Sequence, residues 1–167
     1  CCGGINRVIS MVLRSIFSSN LITVSMESED KEESFEELVQ LYSNQNPKVS
    51  RSLILDALRS REAKLSTGVK PGIAVPHARF PSFPGVTGII GISRNGIDYD
   101  SLDGNPVHLI FLILASDAEC ALQLRSLKRL SFLLDDPEFY PSLLQARDAV
   151  SVYNELSRFE DILTNSM

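Results

Sequence analysis

The run from Val107 to Ala115 (VHLIFLILA) limits the folds open to this chain more than any other feature of its sequence. It is almost continuously apolar, which is typical of a strand buried on both faces of a sheet. Helical patterns lie before and after it, and the strand-like runs are confined to the first two thirds of the chain. Because helices must then cover both sides of the sheet, we predict an α/β fold, a three-layer sandwich.

Apolar spacing and capping residues predict the other elements. Asp30 followed by Glu33 has the form of a capping box, and Ser50 is placed to cap the next helix. The other predicted strands are Leu21 to Ser25, Ile73 to Val75 and Val86 to Ser93, and the predicted turns are Asn95-Gly96 and Asp103-Gly104. The residues expected to face inward from helices are Phe35, Leu38, Val39, Tyr42, Leu53, Ile54, Ala57, Leu58, Cys120, Leu124, Leu127, Leu130, Leu134, Val152, Leu156, Phe159 and Leu163, with a shorter helical piece around Phe139 to Ala146.

Length and composition favour one compact domain. The chain has 167 residues, of which 44% are apolar, so it can bury one sizeable core. We find no internal repeat and no linker, and assign residues 11–167 to a single domain. Residues 1–10 are assigned to an N-terminal extension of unknown origin.

Charge, hydropathy and cysteine content exclude several classes of partner. The 16 basic and 21 acidic residues give a net charge of -5, which argues against binding to nucleic acid. The longest clean apolar run, Leu109 to Ala115, is far shorter than the ~20 residues of a membrane-spanning helix, so no membrane insertion is expected. The three cysteines form no closed disulfide framework, and two of them are the adjacent Cys1 and Cys2, which favours a cytoplasmic protein.

The two histidines, His77 and His108, limit where nucleophilic or metal chemistry can occur. His108 lies inside the buried-looking run, where we expect a backbone carbonyl to satisfy it. His77 follows the predicted strand Ile73 to Val75 and is expected in a loop rich in Gly and Pro, which would keep its imidazole accessible and oriented. Two separated histidines do not make a metal site, and no Gly-rich nucleotide fingerprint is present, so no metal or cofactor is expected.

Segments covering most of the chain resemble one protein family. They are RExxxSTG (Arg61 to Gly68), GIAVPHAR (Gly72 to Arg79), NGIDYDSLDGNPVHLIFLIL (Asn95 to Leu114) and LRSLKRLSFLLDDPEF (Leu124 to Phe139). Together they are similar to the fructose/mannitol and nitrogen-regulatory class of EIIA domains in the bacterial phosphoenolpyruvate-dependent phosphotransferase system. The resemblance runs from about Ile16 to about Ile162, and it implies a central mixed β-sheet flanked by helices.

The resemblance also implies the site residues. In that family the histidine of the I-A-x-P-H motif accepts a phosphoryl group from the phosphocarrier HPr or a paralogue of it, which makes His77 the phospho-acceptor. Arg61 matches the arginine beside the family's histidine, and a guanidinium suits a phosphoryl group well. Ser66 and Thr67 are candidate hydroxyl donors to that group, although such residues also simply make turns. Arg79 is close to His77 in sequence and is a candidate for the same site, but a solvated surface role is an equal alternative.

One position departs from the family pattern. Most relatives carry a second histidine at the start of the long helix, where it hydrogen-bonds the active imidazole or its phosphoryl group, and the aligned residue here is Gln123. Glutamine donates and accepts hydrogen bonds but cannot be protonated. We therefore expect phosphorylation to occur with an altered rate or pH dependence. His108 could replace the missing histidine only if a strand interior reached the site, and for Cys120 a small buried residue is favoured over a redox-sensitive thiol.

The family's chemistry leaves three functions open. We favour a phosphotransferase that acts mainly as a regulator of the nitrogen branch, taking phosphate from HPr or its nitrogen-branch paralogue and binding regulatory target proteins. The solitary domain and Gln123 both favour it. A sugar-specific EIIA that passes phosphate to a cysteine of EIIB, and a binding module that is never phosphorylated, remain alternatives. Phe80 and Phe83 are either partner contacts or core packing.

Overall fold

The computed structural model describes residues 12–68 and 70–166, so the predicted extension 1–10 lies outside the described residues. The helices are α1 (Val12–Ile16), α2 (Lys31–Gln45), α3 (Arg51–Glu62), α4 (Cys120–Leu134), α5 (Phe139–Leu144) and α6 (Ala149–Ser166). The strands are β1 (Ile22–Thr23), β2 (Ile73–Ala74), β3 (His77–Phe80), β4 (Val86–Ile97) and β5 (Val107–Ser116). No helix within the described ranges is long and apolar enough to cross a membrane.

The strands form one mixed sheet centred on β5. Its order is β1-β4-β5-β2, and β3 also pairs with β5. The β4–β5 pair is antiparallel, whereas β1 is parallel to β4 and both β2 and β3 are parallel to β5. Because β4 occupies one edge of β5, β2 and β3 follow each other along the opposite edge. The predicted mixed sheet is confirmed.

Helices cover both faces of the sheet, as the apolar run in β5 requires. Ile110, Leu112 and Leu114 pack in one buried cluster with residues of α2 and α3. The alternate residues of β5 pack in a second cluster with α1, α4, α5 and α6. This alternation is the period of two of a strand with both faces buried. The predicted three-layer sandwich is confirmed.

The two predicted helix caps, Asp30 and Ser50, are confirmed. The Asp30 side chain accepts a hydrogen bond of 2.9 Å from the backbone N–H of Glu33, and Ser50 accepts one of 3.3 Å from that of Leu53. The capping box itself is altered, because the Glu33 carboxylate accepts from the N–H of Glu29 and not from that of Asp30. Both caps satisfy donors that have no partner inside the helix.

Two residues expected to face inward are exposed instead, although other members of both predicted helix faces are buried as predicted. Leu53 is 47% exposed and Leu55 is buried instead. Leu124 is 60% exposed, whereas its polar neighbour Gln123 is 2% exposed. In α4 the buried face runs through Gln123, Ser126, Leu130 and Leu133. A polar residue occupies this face because hydrogen-bond acceptors of the sheet lie opposite it, as described below.

The strand boundaries differ from those predicted. The first strand is shorter, Ile22–Thr23, and β4 continues to Ile97. The predicted turn at Asn95-Gly96 therefore lies inside β4, where the register with β5 shifts and Gly96 has a φ of 87°. The turn at Asp103-Gly104 is confirmed: Gly104, with a φ of 73°, donates its N–H to Ser101 at 3.0 Å.

Candidate active site

His77 begins the edge strand β3 and does not lie in the predicted loop. It stands opposite Ile113 of β5, and the preceding Pro76 accepts a backbone hydrogen bond of 3.0 Å from Ile113. The local sequence does not predict this strand, because its pairing partner, β5, is distant in sequence and the surrounding residues are rich in Gly and Pro. Strand pairing therefore fixes the backbone of His77.

The imidazole of His77 is held in one tautomer. Its Nδ1 lies 2.9 Å from the carbonyl oxygen of Val75. A carbonyl oxygen only accepts, so the proton of the neutral ring is on Nδ1. The lone pair of Nε2 is then available to attack an electrophile.

The surroundings keep this ring neutral. Burial lowers the pKa of His77 below its usual range, and the positive charges of Arg61 and Arg79 lower it further. The hydrogen bond to Val75 and the negative charge of Glu62 act in the opposite direction. Because the pKa is lowered overall, the nucleophilic form predominates at neutral pH.

Two clefts meet at His77, and Arg61 and Leu127 line both of them. The first, here called the polar cleft, has a volume of about 320 Å³. Its other lining residues include Ser60, Lys64, Arg79, Asp117 and Gln123. The second, the apolar cleft, has a volume of about 280 Å³. Its other lining residues include Leu65, Ser66, Val75, Leu130 and Leu134.

The polar cleft is suited to an anion. Arg61, Lys64 and Arg79 place three cationic side chains in its lining, against the single carboxylate of Asp117. Arg61 lies in the last turn of α3, and its Nη1 donates to the carbonyl oxygen of Leu65 at 3.1 Å. This bond orients a guanidinium that has five N–H donors in total. The structure thus brings the predicted Arg61 and His77 together.

The two predicted hydroxyl donors have different environments. Ser66 lines the apolar cleft, and its Oγ accepts from the N–H of Gly68 at 3.2 Å, which leaves its hydroxyl proton available. Thr67 is 4% exposed, and its Oγ1 donates to Glu62 at 2.7 Å. Because this bond uses the one proton of the Thr67 hydroxyl, the Tyr99 hydroxyl, whose pKa is raised by burial, is the donor to Thr67 over 2.9 Å. In the unphosphorylated protein, the one hydroxyl proton of Thr67 is therefore already bonded to Glu62.

Gln123 lies beside His77, as the alignment predicts, but it bonds to the sheet. Its Nε2 donates to the carbonyl oxygens of Ala78 at 3.0 Å and Ile113 at 3.3 Å. Two carbonyl acceptors require the amide nitrogen at this position, which settles the orientation of the side chain. Gln123 thus links β3 to β5 and offers the polar cleft no titratable group.

His108 cannot replace the missing histidine. Its Nδ1 lies 2.9 Å from the carbonyl oxygen of Ser93, which confirms the predicted backbone partner. On β5 it lies five positions before Ile113, the residue opposite His77. At about 3.3 Å per residue, the two histidines are separated by about 17 Å along the sheet.

The remaining residues considered in the sequence are Phe80, Phe83 and Cys120. Phe83 is 2% exposed, with its ring centroid 5.5 Å from those of both Phe80 and Tyr42, so core packing is confirmed for it. Phe80 is partly buried against the same cluster. Cys120 is a free thiol of intermediate exposure and not the buried residue predicted. Residues 12–68 and 70–166 contain no group of three or more His, Cys, Asp or Glu that could hold a metal ion.

The lowered pKa of His77 predicts a pH-dependent contribution to stability. The pKa is lower in the folded protein than the ordinary 6.5 expected when unfolded, so the unfolded chain binds the proton first as the pH falls. This contribution is fully present above about pH 6.5 and is lost as the pH falls through the folded pKa. Urea unfolding at a series of pH values should show that, as the pH falls, the free energy of unfolding decreases more steeply for the wild type than for His77→Gln. Equal decreases in the two proteins would contradict the lowered pKa of His77.

Comparison with known proteins identifies the family of this chain. The family model described as "Phosphoenolpyruvate-dependent sugar phosphotransferase system, EIIA 2" matches residues 15–159. A fructose-specific EIIABC component from Bacillus subtilis is 32% identical over 150 residues, covering 90% of this chain. The chain spans only 24% of the length of that relative.

Two proteins of the nitrogen-regulatory type are similar over nearly their whole length. One from Bradyrhizobium diazoefficiens is 29% identical over 147 residues, covering 88% of this chain and 95% of the relative. The crystal structure of IIA-Ntr from Neisseria meningitidis matches with a TM-score of 0.80 and 28% identity, covering 87% of this chain and 99% of that one. The chain therefore belongs to the EIIA 2 family of the phosphoenolpyruvate-dependent sugar phosphotransferase system.

Proposed function

We propose that Nε2 of His77 accepts a phosphoryl group and that the chain is a phosphocarrier and regulator of the nitrogen-regulatory class. The observation that carries this is the hydrogen bond between Nδ1 and the Val75 carbonyl, which leaves Nε2 as the ring nitrogen with a free lone pair. The lowered pKa of His77 supplies the neutral ring. The cations of the polar cleft suit a phosphoryl group.

The donor in this proposal is phosphorylated HPr or its nitrogen-branch paralogue. The Nε2 lone pair attacks phosphorus while the bond from phosphorus to the donor's nitrogen breaks, and that electron pair returns to the donor. Negative charge spreads over three equatorial oxygens in such a transfer, and Arg61, Lys64 and Arg79 stabilise it. The Nδ1 proton stays on the ring, bonded to Val75, so the phosphorylated ring carries a positive charge and transfer to His77 requires no proton movement within the site.

Of the two functions in which His77 is phosphorylated, we propose the regulatory one first. It is supported by the likeness to IIA-Ntr over nearly all of that chain and by Gln123, which offers no proton-exchanging group beside His77. In this role the phosphorylation state of His77 decides which target proteins bind. We place the protein in the cytoplasm, in keeping with its cysteine content, and assign the activity to a single domain of residues 11–167.

A sugar-specific EIIA is the alternative, and one observation favours it. The fructose-specific relative from Bacillus subtilis shares 32% of its residues with this chain over the aligned length. In this role His77 would pass its phosphoryl group to a cysteine of an EIIB protein. Adding EIIB proteins encoded in the same genome to the phosphorylated chain separates the two functions, because only a transport EIIA would lose its phosphate to one of them.

Incubation with phosphoenolpyruvate, enzyme I and HPr should add one acid-labile phosphoryl group to the wild type and none to His77→Ala. The reason is that His77 supplies the nucleophilic nitrogen. Intact mass spectrometry measures both results.

His108→Gln is the matched control, since it removes the other histidine and should be phosphorylated like the wild type. The donors must be shown active on another EIIA protein. An unmodified wild type under those conditions would replace the proposal with a binding module that is never phosphorylated.

Gln123 predicts a simple pH profile for phosphorylation. The initial rate should fall through one transition at acid pH, as His77 becomes protonated, and show no second transition near neutrality. Gln123→His should introduce a second transition, because histidine titrates and glutamine does not. Stopped assays with one donor preparation compare the two proteins. Two transitions in the wild type would show that another titrating group acts beside His77.

A further inference from the structure

Glu62 is a buried carboxylate in the last turn of α3, beside Arg61, and the proposed transfer step does not use it. Its side chain is 6% exposed. Oε1 accepts the backbone N–H of Thr67 at 2.9 Å, and Oε2 accepts the Thr67 hydroxyl at 2.7 Å. Lys31 lies 3.2 Å from Oε1 and supplies the opposite charge. Two oxygens of one carboxylate therefore fix both the backbone and the side chain of a single residue, Thr67.

Thr67 is connected to the imidazole by two further hydrogen bonds. Its carbonyl oxygen accepts the N–H of Val75 at 3.0 Å. The carbonyl oxygen of Val75 then accepts Nδ1–H of His77 at 2.9 Å. A continuous path thus runs from Glu62 through Thr67 and Val75 to His77. A displacement of Thr67 would move the one carbonyl that sets the tautomer of the imidazole.

We propose that Glu62 is a positioning residue for His77: through Thr67 and Val75 it keeps the imidazole proton on Nδ1 and so leaves Nε2 nucleophilic. Its charge suits this role, because a carboxylate accepts both bonds from Thr67 more strongly than a neutral group does. Lys31 and Thr67 together satisfy the buried charge, whose burial would otherwise be costly. The consequence for the reaction rests on the function proposed above, whereas the tautomer is a property of the unmodified protein.

The chain offers a matched control for a buried, paired carboxylate. The Glu160 side chain is fully buried, lies within 3.3 Å of Arg129 and accepts the N–H of Leu13 at 2.9 Å. It lies in α6, in the helix layer on the other face of the sheet from α3. Replacing it disturbs a network of the same kind without touching the path to His77.

The test is long-range ¹H–¹⁵N correlation spectroscopy of protein labelled with ¹⁵N-histidine, at neutral pH and without donor. The wild type should show His77 as the Nδ1–H tautomer. Glu62→Ala should show a mixture with more Nε2–H, which is the form that an unrestrained histidine favours. Thr67→Val should shift the population in the same direction by less, and Glu62→Gln, which keeps one acceptor oxygen, should retain more Nδ1–H than Glu62→Ala. Glu160→Gln should match the wild type.

Phosphorylation kinetics supply the second measurement. In Glu62→Ala, kcat should fall about ten- to a hundredfold, with KM for the phosphorylated donor unchanged, because the ring is misplaced while the docking surface is not. Glu160→Gln should keep the wild-type kcat, even where its denaturation midpoint is lower. Circular dichroism establishes that each variant is folded at the assay temperature.

A folded Glu62→Ala with the wild-type tautomer would overturn the proposal, and so would an equal change in Glu160→Gln. If Glu62→Ala does not fold, Thr67→Val and Glu62→Gln decide the same question. An unphosphorylated wild type would contradict the function proposed above but not this inference, because the tautomer comparison needs no donor.

Discussion

The hydrogen bond from His77 Nδ1 to the carbonyl of Val75 is the interaction on which the proposed phosphoryl transfer depends. It chooses the tautomer, and the tautomer decides which ring nitrogen can react. Its geometry comes from the sheet: β2 and β3 pair with successive parts of β5, so the segment between them is held at both ends. A central strand buried on both faces thus fixes the position of the proposed phospho-acceptor at the sheet edge.

The site is completed by side chains from both helix layers. Arg61 comes from the end of α3 on one side of the sheet, and Gln123 from the first turn of α4 on the other. Gln123 bonds the carbonyls of Ala78 and Ile113 across two strands, so its contribution is to the rigidity of the edge strand that carries His77. The cations proposed to stabilise the phosphoryl charge and the residues that hold the edge strand are therefore separate sets.

Features of the site and fold that depend on neighbours in sequence were predictable, and those that depend on distant partners were not. Asp30 and Ser50 cap their helices through residues three positions away, and the run Val107 to Ala115 shows its two buried faces directly. The strand that begins at His77 was missed because its pairing partner, β5, is remote and Pro76 precedes it. Thr67 lies in a segment whose composition is typical of a turn. The local sequence does not indicate that the fold places Glu62 and Tyr99 within hydrogen-bond distance of its hydroxyl. Hydropathy likewise predicts that Leu124 faces the core. It cannot indicate that Gln123 faces the core instead and donates to two backbone carbonyls of the sheet. The choice of His77 and Arg61 came from family resemblance, since a lone loop histidine would otherwise carry little meaning.

The most direct test of this account is to identify which nitrogen of which histidine carries phosphorus after reaction with the donor proteins. Long-range ¹H–¹⁵N spectra of the phosphorylated, ¹⁵N-histidine-labelled chain distinguish the two ring nitrogens. The account predicts phosphorus on Nε2 of His77, with Nδ1 still protonated and bonded to Val75. Phosphorus on Nδ1 would contradict it, because that product requires the bond to Val75 to be broken, and phosphorus on any other residue would contradict the assignment of the site.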